Sequence, residues 1–517
     1  MRMPLKLADL LAGLSRLADL GFGLQSGESL RAAALAASLG RSLDLDDDEV
    51  RSGLYTALLL HVGCVGYAHE TARLFGDEFA LNVAAEQTNL ADPRDLVATL
   101  VPALTRGRPL RERARLAATA LTRGKRFGQA FDTAKCEVGR DAARRLGLSE
   151  EVQRSVYHSS EWWNGGGAPR GLSGEDIPVG ARLALLASIA VLLDTLGGAE
   201  AAGHAIRRRS GGMVDPRMAD HFAARASDLL GALHAGDPYD HVVHAEPQPA
   251  AMVLGSQLLG VAAVFGDLAD LKTPYTYGHS RGVAALSRDA GQHLGLDTDA
   301  SEELEVAGLL HDVGRVAVSN VVWEKPGALS AHEWEQVRLH AYHSERILAG
   351  SQGLAPLARL VGMHHEHCDG SGYHRGCTSA DLSLQATVLA AADAYQAMTQ
   401  PRPHRPALAP EQAEHCLLDD ASSGLRDADA VDAVLAAAGH EAVVERQRPA
   451  GLTDREVGVL ALVAEGCSNA QVAQRLVISR RTAEYHVQQI YRKIGVSSRA
   501  AAAMFAMEHR LLDRQDQ

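Results

Sequence analysis

The stretches "GLLHDVG" (residues 308–314) and "ALLLHVG" (residues 57–63) stand 251 residues apart, and comparing them decides the fold. The same offset aligns "LADLGFGLQSGES" (17–29) with "LADLKTPYTYGHS" (268–280). Further on, "SSEWWNGGGAPRGLSGEDIP" (159–178) aligns with "HHEHCDGSGYHRGCTSADLS" (364–383) at an offset of 205. Ungapped blocks in the same order mark a duplicated domain, roughly 200 residues per copy, with one length difference between the copies.

Both copies read as helical. "HSRGVAALSRDAGQHLGL" (279–296) places apolar residues three and four apart, and "ARLALLASIAVLLDTL" (181–196) is apolar nearly all round, as a buried helix would be. The glycine-rich block between His365 and Gly376 breaks that period and reads as a loop. A polar run ending in Pro449-Ala450-Gly451 reads as a linker. The expected organisation is all-α: a degenerate first copy over 1–245, a complete second copy over 246–438, a linker over 439–450 and a separate unit over 451–517.

Bulk composition fits that plan. The 517 residues exceed one ordinary core. The chain is 46% hydrophobic but only 4% aromatic, and it is rich in alanine and leucine, which favours helices. A formal charge of −13 argues against a nucleic-acid or membrane surface spread over the whole molecule, so a DNA-binding face would be local. The 6 cysteines lack CxxC spacing and read as reduced thiols. No signal-peptide pattern or long uncharged apolar run is seen, so a cytoplasmic location and no membrane partner are expected.

The second copy gathers polar residues at likely helix ends: His279, His311, Asp312, His340, His364, His365 and Asp393. Five imidazoles and two carboxylates suit borderline divalent metals such as Fe, Mn or Zn. A carboxylate beside a histidine can bridge two ions, which together clamp a phosphoryl group for in-line attack. In the first copy the counterparts are Glu28, Leu60, His61, Ser159, Ser160 and Ser188, with Lys135 near the place of His340. That set cannot hold a metal pair.

The series "GHS", "LLHDVGR", "KPGALS", "LHAYHSERIL", "HHEHCDGSGYHRG" and "AAADAYQAMTQPRPHR" resembles the HD-GYP family of metal-dependent phosphohydrolases. The resemblance implies an all-helical fold, two divalent transition-metal ions (Fe or Mn foremost, Zn also suitable) and hydrolysis of cyclic di-GMP or a related phosphoester. It puts His279, His311, Asp312 and Asp393 on one ion, and Asp312, as bridge, with His340, His364 and His365 on the other. It makes Asp312 and Arg315 the catalytic residues, and Arg315, Gly372, Tyr373, Arg402 and Arg405 the substrate contacts. The chain departs from the family at Arg315, where the family has lysine, and at His374, where Gly-Tyr-Pro becomes Gly372-Tyr373-His374. It also carries Cys368 in the preceding loop, and Tyr275 where some members hold a third-metal glutamate.

The last unit reads as four short helices. Thr453 and Glu456 match a capping box, Gly466 ends the first helix, Ser468 opens the second and Ser479 caps the third. Arg480, Arg481, Arg492, Lys493 and Arg499 make it locally basic. "LTDRE", "GCSN", "ISRRT", "HVQQI" and "KIGVSSR" resemble the LuxR-type helix-turn-helix. The resemblance puts Arg480, Arg481, Thr482, Glu484, Tyr485, Gln488 and Lys493 at DNA, with Glu484 where many members carry lysine.

Together these readings predict a DNA-binding transcriptional regulator, a homodimer, whose second copy hydrolyses or senses a cyclic dinucleotide. The alternative is a nucleotide- or metal-sensing transcription factor without significant turnover.

Overall fold

The structure is a computed structural model, which describes residues 4–439 and 449–512 apart from Thr453, Val477 and Arg510. The expected linker falls mostly outside these residues, as does the Thr453 half of the expected capping box. Two compact units emerge: Met1–Gly255 with Gly350–Gly353, and Ser256–Ala349 with Leu354–Gln517.

The first unit is helical save for one antiparallel pair of two-residue strands, β1 (Leu5–Lys6) and β2 (Met252–Val253). Helices α1 (Leu7–Phe22), α2 (Glu28–Ser42) and α3 (Asp47–Leu59) lead to the 36-residue α4 (Leu110–Arg145). There follow α5 (Glu150–Tyr157), α6 (Val179–Arg209) and α7 (Pro216–His234). Helix α6 is long and apolar enough to cross a membrane, but 67% of its apolar window is buried inside the protein. It packs on α2, α3 and α7, which explains its all-round apolar character.

The second unit repeats this plan with α8 (Leu258–Asp270), α9 (His279–His293), α10 (Thr298–Leu310), α11 (Ala331–Leu348), α12 (Ala355–Gly362) and α13 (Leu384–Met398). Helices α14 (Pro410–Ser422) and α15 (Ala428–Ala438) close its first part. Helices α2 and α9, and α3 and α10, begin and end at matching positions under the offset of 251, and α5 and α12 do so under 205.

The local causes also repeat. Helices α2 and α9 follow glycines in the left-handed region, Gly27 at φ 97° and Gly278 at φ 76°, a conformation that carries little penalty only for glycine. Helices α3 and α10 are capped by Asp46 and Asp297, whose carboxylates accept from backbone N–H groups of the first turn. Asp19 accepts from Ser29 N and Oγ just as Asp270 accepts from Ser280 N and Oγ.

The last part holds α16 (Asp454–Ala464), α17 (Asn469–Arg475), α18 (Arg480–Ile494) and α19 (Arg499–Glu508). Ser468 and Ser479 cap α17 and α18 as expected. Val472, Val487 and Ile490 are buried where the helices cross.

Candidate metal centre

Helix α10 stops at Leu310, and His311 and Asp312 lie in the turn beyond it. That turn answers how two adjacent polar residues can both be buried: His311 is 0% and Asp312 2% exposed. They are off the helix and point into the space between α9, α11, α12 and α13. His279 opens α9, His340 lies within α11, His364 and His365 follow α12, and Asp393 lies in α13. All seven predicted donors therefore converge from five separated stretches of chain.

Most rings are aimed by their own helices. The Nδ1 atoms of His311, His340 and His364 hydrogen-bond the carbonyls of Gly308, Val337 and Val361 at 2.5–2.7 Å, which turns each Nε2 inward. His279 is held by a side chain instead, with Nδ1 2.9 Å from Gln400 Oε1. Sequence reasoning missed Gln400, because no local pattern marks it.

The two oxygens of Asp312 face different partners. Oδ1 lies 3.3 Å from His340 Nε2 and 3.8 Å from His364 Nε2. Oδ2 lies 3.7 Å from His279 Nε2 and 3.6 Å from His311 Nε2. Asp393 adds Oδ1 at 3.1 Å from His279 and 3.6 Å from His311, and its Oδ2 lies 3.7 Å from His365 Nδ1. Among the described residues, donor groups tight enough for a metal are His279–His311–Asp312 and His340–His364–His365.

The chemistry of this set fits cations. His311 Nε2 and Asp312 Oδ1 are buried without a hydrogen-bond partner, an arrangement costly to leave unsatisfied. Burial raises the Asp312 carboxyl, but Arg315, His311 and His340 outweigh it and hold it well below the usual range. Asp393 is lowered in the same way against burial, chiefly by His279 and His311. Burial, reinforced by neighbouring imidazoles, pushes His364 down to about 3 and His365 well below its ordinary value, leaving both neutral and ready to ligate. His311 differs: burial opposes its charge, but Asp312 and Asp393 push it up to about 9. The paired carboxylates thus call for positive charge between them.

Around this centre, Arg315 Nη1 donates to Asp312 Oδ2 at 2.9 Å. Arg402 is pushed down to about 10 by burial and by Arg315, and donates to the Tyr275 carbonyl and to Gln400. The Tyr373 ring lies over His365 with centroids 4.7 Å apart. Two expected substrate contacts are otherwise engaged. Gly372 lies against Glu366 and His365 with no room for a side chain, and so serves the loop. Arg405 gives its guanidinium to the carbonyls of Ala397, Met398, Gln400 and Pro406, because it holds together the turn after α13.

The glycine-rich loops are built on a glutamate that sequence reasoning also missed. Glu366 accepts from the N–H groups of Arg375 and Cys377, and Glu161 from those of Arg170, Gly171 and Leu172. Their matching places in the repeat were the available signal.

The first copy keeps the frame and loses the donors. Gly63 packs against the Lys135 carbonyl as Gly314 packs against that of His340, which fixes Lys135 as the counterpart of His340. There Lys135 Nζ lies 3.8 Å from Asp132, and His61 bonds Ser188, which donates to Glu86. A protein ammonium supplies the positive charge in that copy.

On α18, Arg480, Arg481, Thr482, Glu484, Tyr485 and Gln488 are exposed along one face. Lys493 is also exposed, with its ammonium paired to Glu456 at 2.7 Å. Arg499 turns inward to the carbonyls of Val463 and Cys467, so the basic face is smaller than the sequence suggests.

Comparison with known proteins agrees with these parts. The HD domain family matches residues 136–206 and 263–429, and the luxR family of bacterial regulatory proteins matches 450–506. The chain is 30% identical over 410 residues to 3′3′-cGAMP-specific phosphodiesterase 3 of Vibrio cholerae serotype O1, covering 79% of this chain and 89% of that protein. It is 33% identical over 185 residues to a cyclic di-GMP phosphodiesterase of Pseudomonas aeruginosa, covering 35% of this chain and 42% of that protein. The crystal structure of a cyclic GMP-AMP specific phosphodiesterase from V. cholerae superposes with a TM-score of 0.58 at 26% identity, over 85% of this chain and 99% of that one. The chain belongs to the HD-GYP phosphodiesterases, a metal-dependent HD-domain family, with a degenerate copy before the complete one and a LuxR-type helix-turn-helix after it.

Proposed function

We propose that the second copy hydrolyses a 3′,3′-linked cyclic dinucleotide and that the helix-turn-helix ties this activity to transcription. The observation that carries the reading is the divided carboxylate of Asp312, with one oxygen toward His340 and His364 and the other toward His279 and His311. That division suits two divalent ions. His279, His311, Asp312 and Asp393 would hold one, and Asp312, His340, His364 and His365 the other. The imidazoles suit Fe or Zn and the two carboxylates also admit Mn, with Fe or Mn put foremost by the family resemblance. When bound, such ions supply Lewis acidity toward the phosphodiester and lower the pKa of water.

The chain's own residues do the rest. Asp312 keeps the two donor sets in register. Arg315, planar and permanently charged, neutralises charge that builds on the phosphate oxygens. Arg402, half-buried near it, adds a second cation. Tyr373 walls the site over His365 and limits water. The relatives carry names for two different dinucleotides, so the bases are a matter for experiment.

For the last part, we read a cytoplasmic homodimer whose α18 helices enter paired DNA half-sites, as the exposed polar face of α18 supports.

The test is turnover of cyclic di-GMP and 3′3′-cGAMP by metal-loaded wild type and by Asp312→Asn. Linear product from wild type alone supports the reading. No product from either dinucleotide overturns hydrolysis, and binding without cleavage would make the centre a receptor.

A further inference from the structure

Arg315 is gripped from two sides. Its Nη1 reaches Asp312, while its guanidinium carbon sits 4.0 Å from the ring centre of Trp323. The indole is itself tied back, because Trp323 Nε1 donates to the carbonyl oxygen of Arg315 at 3.1 Å. One aromatic side chain therefore fixes both the main chain and the side chain of the same residue. Trp323 ends the short helix Asn320–Trp323 and packs on buried Val318, Val322 and Val337. Its ring centre is 5.8 Å from that of His340, so it borders the donor cluster directly.

Stacking on an aromatic face fixes the orientation of a guanidinium, which is planar by its own delocalisation. A lysine gains little from such a plane, since its ammonium is a rotating point charge. An arginine without the indole would keep its charge and its planarity but lose the contact that sets how its plane is turned. Two parallel N–H donors aimed at a phosphate need that plane, because bidentate recognition depends on orientation as well as charge.

We infer that Trp323 is a positioning residue for phosphodiester cleavage: it sets the plane of the Arg315 guanidinium beside Asp312. The inference rests on the hydrolase reading of the centre. Trp323 touches no reacting atom and acts through Arg315. A side chain that merely filled the Val318–Val322–Val337 cluster would act on stability and not on this one partner.

The experiment is a double-mutant cycle on full-length, metal-loaded protein. It compares wild type, Trp323→Leu, Arg315→Ala and the double variant, with Trp323→Phe as the conservative check. Turnover of the cleaved cyclic dinucleotide, metal content and melting temperature are measured on each. Trp323→Leu is expected to keep its metal, lower kcat about tenfold and change KM little, because the lost interaction serves the transition state. Trp323→Phe should recover most of that loss. In the Arg315→Ala background, Trp323→Leu should cost nothing more, since the residue it positions is gone.

Full kcat in Trp323→Leu overturns the inference, as does an equal fold-loss in the Arg315→Ala background. So does a fall in activity that follows loss of metal, which would assign the effect to His340. If wild type is active and these variants behave additively, the positioning role alone fails. If wild type cleaves no cyclic dinucleotide, the hydrolase reading fails and the positioning role fails with it.

Discussion

Gly314 passes so close to His340 that a Cβ at position 314 would overlap the His340 carbonyl oxygen and the Ser344 amide nitrogen. The Gly314 N–H also donates to Ser344 Oγ at 2.8 Å, so the turn bearing Asp312 is laid directly on α11. Substituting Gly314→Ala must push α11 away. A loss of about 1–3 kcal/mol is expected from overpacking, together with loss of metal, since His340 moves away from Asp312. Thermal melting and metal analysis of the variant check both; unchanged metal content would show that the contact does not set the site.

The two donor sets should empty separately. His279 and His364 lie on opposite sides of the Asp312 carboxylate. His279→Ala and His364→Ala are each expected to lower bound metal from two ions toward one, and Asp312→Asn to remove both. Elemental analysis of the purified variants decides this. Identical stoichiometry in all three would contradict the bridging role.

Asp19 gives the first unit a pH dependence. Burial pushes its carboxyl up to about 7, against hydrogen bonds from Ser29 and Gly27 that pull it down. The folded state therefore holds a proton that the unfolded chain, titrating near 3.8, has already released. Stability from this group is full below about pH 4 and is lost as pH rises toward 7. The melting temperature of wild type minus that of Asp19→Asn should fall across that window. A constant difference would show that Asp19 does not titrate there.

Glu484 sits exposed on the face of α18 that is read as meeting DNA. A carboxylate there can accept from cytosine yet repels phosphate. Glu484→Lys is expected to raise affinity for non-cognate DNA and to steepen the salt dependence by about one phosphate contact. Binding titrations at several salt concentrations test this. An unchanged salt slope would remove α18 from the interface.

Much of this protein was legible in its sequence. The repeat offsets locate α2 and α9, and α3 and α10, because helix starts are set by nearby residues such as Gly27, Gly278, Asp46 and Asp297. The candidate donors were legible as a set of five imidazoles and two carboxylates, although His340 and Asp393 lie inside helices and not at the expected helix ends. Gln400 and Trp323 were not, since a lone glutamine or tryptophan has no periodicity that ties it to a partner elsewhere. Arg405 and Arg499 misled for a related reason: a charged residue near a site looks available until its carbonyl partners are placed around it.

The sequence by itself determined the duplication and the all-helical class, and it singled out seven candidate donors, because capping, periodicity and side-chain chemistry act over a few residues. Only the tertiary structure decided that Asp312 turns one oxygen to each group of histidines. It also decided that Trp323 lies beneath Arg315. Those relationships come from packing between stretches of chain that local residue patterns do not connect, and buried polar groups are arranged by whatever partners that packing brings within reach.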